Sequence, residues 1–410
     1  MSTDLQSNRI VIPIFIATII VIFLIYIPIV FPALFSSLVG NYSDTIKNTF
    51  EFGHQAFILI FSNIIILGFG FAYYKQKLPT QLQNTIEKIS SFEISKKTTI
   101  IVFFIILGIY IGFSTPELFL DEKLQWDDYE SVLLPALELW PYEESDNPYI
   151  QEQNDRYVRM FLLDASLDIF QNIKFLPFIS SIMVVVFTYL LTTQLCQKRF
   201  AGIISMVVLL QCNIFLRYDT IAVYENFWVL FYLISLYVLK KGWVLSPIFY
   251  ILAVFSKAYV APFFIMTLFS TYRSKTSRRT KFAILLSYVV IISVAVIVIF
   301  AGETLYPKVF EINLSNFILG FAATAFQLRF DLFILIMLLP VSIFLFTLAR
   351  NRLKEADSIL FLIFGTISAG PVVVMATYFY NVEVYRIIPI MVFVAIGIGL
   401  FFSKKSKQLS

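Results

Sequence analysis

Long apolar runs separated by short polar stretches dominate this chain of 410 residues. Apolar residues in the runs do not alternate with polar ones, so the pattern predicts helices and not strands. A run of about 17 to 25 apolar residues crosses the hydrocarbon core of a bilayer as a helix that satisfies its own backbone hydrogen bonds. The pattern therefore predicts an all-α polytopic membrane protein.

The apolar runs give the following candidate spans: 10–35, 54–74, 98–113, 173–195, 200–216, 221–239, 281–301, 330–349, 358–379 and 384–403. A further apolar run, 243–272, contains one charged residue, Lys257. As a single helix it would carry the basic segment 273–281 to the opposite side from the other basic connections. We therefore predict two short helices broken at Ser256 and Lys257, which brings the count to about 12 spans. Helices of roughly 15 residues reach only about 22 Å, so the break should lie below the outer surface.

Composition narrows the class of protein. Apolar residues make up 59% of the chain and charged residues only 14%, values that exclude a water-soluble protein of this length. Two cysteines and one histidine provide neither a disulfide framework nor a histidine-rich metal site.

Lysine and arginine are concentrated in every second connection between the predicted spans, at 75–97, 198–199, 240–241, 273–281, 350–354 and 404–407. Basic connections are retained on the cytoplasmic side, so both termini should be cytoplasmic and the protein a multi-pass cell-membrane protein. Orientation and anionic membrane lipids account for this basic excess. The opposite, outer side is acidic.

The longest outer connection, 114–172, holds most of the acidic residues together with many aromatic and leucine residues. Its segments 131–140 and 157–170 place apolar residues at helical spacing with acids between them, which predicts interfacial helices. We also expect the apolar part of the second long connection, 302–329, to lie at the interface, because a span there would break the charge alternation.

Ionisable residues at membrane depth are functional candidates because placing them there is costly. Lys257 is the strongest, since short helices cannot lift it fully into water. Arg217, Asp219 and Glu225 lie near one another in the sequence, and Arg386 opens the last span. Charges at helix ends, snorkelling side chains and local ion pairs are the alternative interpretations.

Four stretches resemble a known family: DEKLQWDDYE with the downstream RMFLLDASLDIFQNIKFLP, LRYDTIAVYENFW, YILAVFSKAYVAPFF, and YRIIPIMVFVAIGIGLFF. They are similar to the lipid-phosphate-sugar-dependent membrane glycosyltransferases of the GT-C fold class, which include protein mannosyltransferases and aminoarabinose transferases. The likeness covers residues 98–403 as a transmembrane catalytic module. Residues 1–97 then form two additional spans with a basic cytoplasmic loop, and 404–410 form a basic tail.

The resemblance implies transfer of a sugar from a polyprenyl-phosphate donor to a lipid, glycan or protein acceptor at an active site facing outside. An outer-loop carboxylate would be the catalytic base, with Asp121, Glu122 and Asp128 as candidates. Lys257 and Arg386 would bind the donor phosphate, supported by Arg156, Arg217, Asp219 and Glu225. Membrane lipids are expected partners and nucleic acid is not. The outer acids leave a divalent cation open as a cofactor, although no spacing of metal ligands indicates one.

Other functions use the same features. A transporter or flippase of lipid-linked glycans would also need many helices, although neither internal repeats nor matching breaks are visible. A ligase or polymerase of lipid-linked glycans would use the same chemistry on a different acceptor, and a scaffold subunit would use the acidic connection for docking.

Overall fold

The computed structural model describes residues 2–38, 50–122, 129–141, 145–147, 150–151, 153, 156–222, 226–240, 242–274, 276–301, 314–351, 353–377 and 383–403. This part of the chain is helical and contains no strand. Of the predicted site residues, Asp128 and Glu225 lie outside the described residues, as does the tail 404–410.

The chain forms two compact units, and it passes between them several times. Unit 1 comprises residues 1–94, 192–214 and 306–410, and unit 2 comprises residues 95–191 and 215–305. The predicted module 98–403 contributes to both units.

The α-helices of the first half are α1 Ser2–Val30, α2 Pro32–Leu38, α3 Ala56–Tyr74, α4 Thr80–Ser91, α5 Lys96–Ser114, α6 Leu134–Leu139, α7 Tyr157–Phe170, α8 Phe175–Cys196, α9 Arg199–Leu210 and α10 Asn213–Tyr218. Those of the second half are α11 Asn226–Val238, α12 Leu245–Ser256, α13 Phe264–Arg273, α14 Arg278–Ala301, α15 Leu314–Leu328, α16 Leu332–Asn351, α17 Ala356–Thr377 and α18 Ile388–Phe401. Short 3₁₀ helices precede or follow several of them, at Thr115–Phe119, Ala258–Phe263 and Val384–Ile387.

Among the described residues, 7 helices are long and apolar enough to cross a membrane: Ile10–Val30, Ala56–Tyr74, Lys96–Phe119, Phe175–Cys196, Leu332–Asn351, Ala356–Met375 and Val384–Phe401. The all-α membrane class is therefore confirmed, whereas the count of 12 spans and the cytoplasmic termini stay predictions. Helices α9, α11, α12 and α15 are apolar but shorter.

In unit 1, α1 packs against α15, α16 and α17. The Tyr26 hydroxyl on α1 donates a hydrogen bond to the Leu335 carbonyl at 2.8 Å, and the Arg329 guanidinium donates one to the Pro28 carbonyl at 2.9 Å. Helix α15, predicted to be interfacial, packs closely on α17, where a Cβ atom at Gly320 would collide with the Pro371 backbone. Small residues let two helix backbones approach in this way.

In unit 2, the apolar run 243–272 breaks at Lys257, as predicted. Helix α12 ends at Ser256, Lys257 is extended with φ −162° and ψ 115°, and the 3₁₀ helix Ala258–Phe263 follows. The Tyr250 hydroxyl donates to the Ala261 carbonyl at 2.7 Å, which satisfies one of the backbone acceptors left by the irregular segment. The break therefore has its own hydrogen bonds within the unit.

The long connection 114–172 contains the predicted helices, as α6 and α7. Their apolar sides form a cluster with the start of α11 that includes Leu133, Ala136, Met160, Leu163 and Phe227. This packing shows that the described part of the connection is ordered.

Candidate functional site

A cluster of buried charged side chains lies in unit 2 and includes residues of the long connection. It is assembled from the residues after α5, helix α7, the residue before α8, and the segment between α10 and α11. The buried charged members are Glu122, Arg159, Lys174 and Asp219, each at most 4% exposed. Buried charges need paired or hydrogen-bonded partners, so their contacts define what the cluster can do.

Glu122 and Lys174 form the ion pair at the centre of this cluster. The Lys174 ammonium nitrogen lies 3.2 Å from Glu122 Oε2, and it also donates a hydrogen bond to the Glu117 carbonyl at 3.1 Å. The other carboxylate oxygen of Glu122 accepts from the Ala222 backbone N–H at 2.7 Å. Burial raises the pKa of Glu122, while the Lys174 ammonium acts in the opposite direction. Glu122 thus joins three segments that are distant in the sequence.

Arg159 on α7 adds a second cation near Glu122. Its guanidinium donates to Gln153 Oε1 and, at 3.4 Å, to the Ala222 carbonyl. Both the N–H and the carbonyl of Ala222 are therefore hydrogen-bonded, to Glu122 and to Arg159. The positive charge of Arg159 favours the ionised form of Glu122. The cluster is therefore a paired network within the protein.

Asp219 follows α10 directly and is fully buried. Ser114 donates a hydrogen bond to Asp219 Oδ2 at 2.7 Å, and the Asp219 backbone carbonyl accepts bonds from Ser181 and from the Asn226 side chain. Burial raises the pKa of the Asp219 carboxyl to about 7, although the hydrogen bond from Ser114 acts in the opposite direction. This carboxyl changes charge near neutral pH.

We expect Asp219→Asn to flatten the pH dependence of stability. Because the pKa of Asp219 is higher in the folded state, that state binds the proton more tightly and stability falls as pH rises from about 4 to about 7. An asparagine stays neutral and can still accept from Ser114. Thermal unfolding in detergent at acidic and alkaline pH measures this difference: the variant should gain stability relative to the wild type as pH rises, and a constant difference would contradict the assignment.

Lys257 is half-buried at the break, with its ammonium 5.9 Å from the centre of the Tyr259 ring. The Tyr259 ring in turn lies 6.0 Å from the Trp228 ring in the first turn of α11. Two residues earlier, Asn226 opens α11 and bonds to the carbonyls of Pro177 and Asp219. A short series of contacts therefore connects the lysine to the end of unit 2 that holds Asp219.

The other predicted site residues have more exposed positions. Asp121 is exposed and immediately precedes the buried Glu122. Arg217 is exposed over the Tyr218 ring at 5.8 Å, and half-buried Arg156 donates to Gln153 Oε1 at 3.2 Å. Arg386 is half-buried in the 3₁₀ helix Val384–Ile387 and belongs to unit 1.

The structure thus brings together Glu122 and Asp219 among the predicted residues, and adds two cations that the sequence analysis did not select. Arg159, three residues after the predicted Arg156, is the buried arginine of the cluster. Lys174 stands directly before a span, where a lysine is normally interpreted as a helix-end charge. Its position just after the acid-rich connection 114–172 was the available signal.

No metal site is apparent in the part of the chain that the structure describes, where no group of three or more His, Cys, Asp or Glu side chains is arranged to hold an ion. Those residues therefore offer no candidate ligands for the divalent cation that the sequence left open.

Comparison of the chain with models of protein families, with curated proteins and with solved structures finds no match.

Proposed function

We propose that this protein is a membrane glycosyltransferase that moves a sugar from a polyprenyl-phosphate donor to a hydroxyl acceptor at the outer face. The observation that carries the proposal is the half-buried lysine in a broken apolar run, connected through Tyr259 and Trp228 to the start of α11, where Asn226 bonds to Asp219. A cation in an apolar groove suits a phosphate whose lipid tail lies between helices.

Asp121 is the residue we assign as general base. Glu122 is occupied by Lys174 and by the Ala222 backbone, whereas Asp121 is exposed directly beside it. The fixed position of Glu122 would orient its neighbour toward an acceptor. Asp219 is fully buried, so we assign it to holding the segment before α11.

The proposed reaction is a displacement at the anomeric carbon of the sugar. The acceptor oxygen forms the new bond to that carbon while Asp121 takes the hydroxyl proton, and the bond from carbon to the phosphate oxygen breaks. The polyprenyl phosphate leaves with the bonding electron pair, and the Lys257 ammonium stabilises the charge that develops on it.

Reconstituted protein supplied with a panel of labelled polyprenyl-phosphate sugars tests this proposal. Lys257→Ala and Asp121→Asn should each lower the release of polyprenyl phosphate by about 100-fold or more, because each removes a group that acts in the transition state. Matched controls are Lys281→Ala, which also removes a lysine lying 5.9 Å from a tyrosine ring, and Asp168→Asn, which neutralises an exposed acid of α7.

Unchanged turnover in either Lys257→Ala or Asp121→Asn would overturn the residue assignment. Movement of the labelled lipid across the bilayer with no bond broken would instead favour a transporter.

A further inference from the structure

Helix α4, Thr80–Ser91, connects α3 to α5 and has two distinct faces. Leu82, Ile86 and Ile89 recur at the spacing of one helix face, while Asn84 and Lys88 lie on the other. It is therefore amphipathic, unlike the uniformly apolar candidate spans that precede and follow it.

Much of the apolar face of α4 is not covered by the described part of the chain. Leu82 is 40% exposed, Ile89 48% and the following Phe92 52%, and no residue of α4 is buried against the described part of the chain. An apolar stripe of this size is unfavourable in water. Something other than the described residues must shield it.

Contacts within unit 1 hold the end of α4 beside two other helices. The Lys198 ammonium donates to the carbonyl of Ser90 near the end of α4 and, at 2.7 Å, to the carbonyl of Phe402 directly after α18. Phe92 packs edge-on against Phe200 in the first turn of α9, with ring centres 5.1 Å apart. Helix α4 thus ends where α9 begins and α18 finishes, and α18 is part of a candidate span.

The charges around α4 are mostly positive. Lys75 and Lys77 precede it, Lys88 lies within it, and Lys96 and Lys97 follow it in the sequence. Two acids lie nearby: Glu87 within α4 accepts from the Gln83 side chain at 3.4 Å, and Glu93 accepts from the Arg199 backbone at 3.1 Å. The remaining basic excess is complementary to anionic lipid headgroups.

We propose that α4 is an interfacial helix that binds the anionic leaflet on the basic side of the membrane. Its apolar stripe enters the upper acyl region, and Lys88 with the flanking lysines contacts the headgroups. This inference goes beyond glycosyl transfer and does not depend on it.

Spin labels on the full chain in vesicles of phosphatidylcholine and phosphatidylglycerol test the immersion of the helix. Labels at Leu82→Cys and Ile89→Cys should collide with oxygen more than with a water-soluble nickel chelate, and a label at Asn84→Cys should show the reverse. The background variant carries alanine at Cys196 and Cys212, the two native cysteines. Nickel collisions that are equally frequent on both faces would place α4 in water and overturn the proposal, and exclusion of both reagents from Leu82 and Ile89 would indicate a protein partner and also overturn it.

Quenching of a fluorophore at Ile89→Cys by nitroxide-labelled lipids tests the charge preference. Selectivity for anionic over neutral quencher lipid should fall about fivefold with Lys88→Gln, the effect of one basic residue near a charged surface. Lys281→Gln, which removes the same charge from the start of α14, should leave the selectivity unchanged. Equal selectivity in the Lys88→Gln variant and the wild type would overturn the assignment to anionic headgroups.

Discussion

Lys174→Met is expected to lower the free energy of unfolding by about 3–5 kcal/mol, because it leaves the buried Glu122 carboxylate without its counter-charge. Both side chains of the pair are only 2–3% exposed, so water cannot replace the lost partner. The variant also loses the hydrogen bond to the Glu117 carbonyl. Unfolding by denaturant in detergent micelles, followed by tryptophan fluorescence, measures the loss.

A double variant separates the ion pair from the packing around it. Glu122→Gln together with Lys174→Met removes both charges and keeps an acceptor for the Ala222 N–H, so it should recover much of the stability lost in Lys174→Met. Lys77→Met removes an exposed lysine and should change stability by no more than about 0.5 kcal/mol. Wild-type stability in the Lys174→Met variant would show that the pair contributes nothing to the fold.

Gly320→Ala is expected to destabilise unit 1 by about 1–3 kcal/mol, as overpacking of a tight contact does. The new methyl group would meet the backbone of Pro371 on α17, and backbone cannot move aside as a flexible side chain could. The neighbouring approach of Thr324 to Gly370, where an added Cβ would lie 2.8 Å from the hydroxyl oxygen, leaves little room for α15 to shift. Thermal unfolding of the purified variant measures the effect.

Gly68→Ala on α3 is the matched control for this prediction. An added Cβ there has no atom within 4 Å in the described structure, so the change alters only helix propensity, which favours alanine over glycine. We expect the control to be neutral or slightly stabilising. Equal stabilities of the two variants would show that α15 and α17 are not closely packed at Gly320.

The sequence predicted the features that depend on charge and hydrophobicity along the chain. The break at Lys257 followed from the alternation of basic connections and is present in the structure. Helices in 131–140 and 157–170 followed from apolar periodicity, and α6 and α7 occupy them. Both signals are present in the order of residues along the chain, so no tertiary contact was needed to find them.

Helix ends in the short apolar segments were predicted less well. The run 200–216, predicted as one span, contains two helices, α9 and α10. The surrounding sequence stays apolar across the interruption at Gln211 and Cys212, so hydrophobicity alone did not indicate a helix end there.

The pairing of charges could not be predicted from one sequence. Glu122, Lys174 and the Ala222 backbone meet only because the segment after α5, the residues before α8 and the segment after α10 fold together. Arg156 was selected from the sequence, whereas the buried arginine of the cluster is Arg159.

The hydrogen bonds between the amino-terminal segment and the rest of unit 1 predict what happens when the protein is shortened to residues 98–403. Deleting residues 1–97 would strip the Lys198 ammonium of its acceptor at Ser90 and expose the surfaces of α16 and α17 that α1 covers. The amino-terminal helices are therefore part of the packing of unit 1, and that unit depends on them for stability. A shortened chain should aggregate when extracted from the bilayer, even if every residue of the proposed reaction is retained.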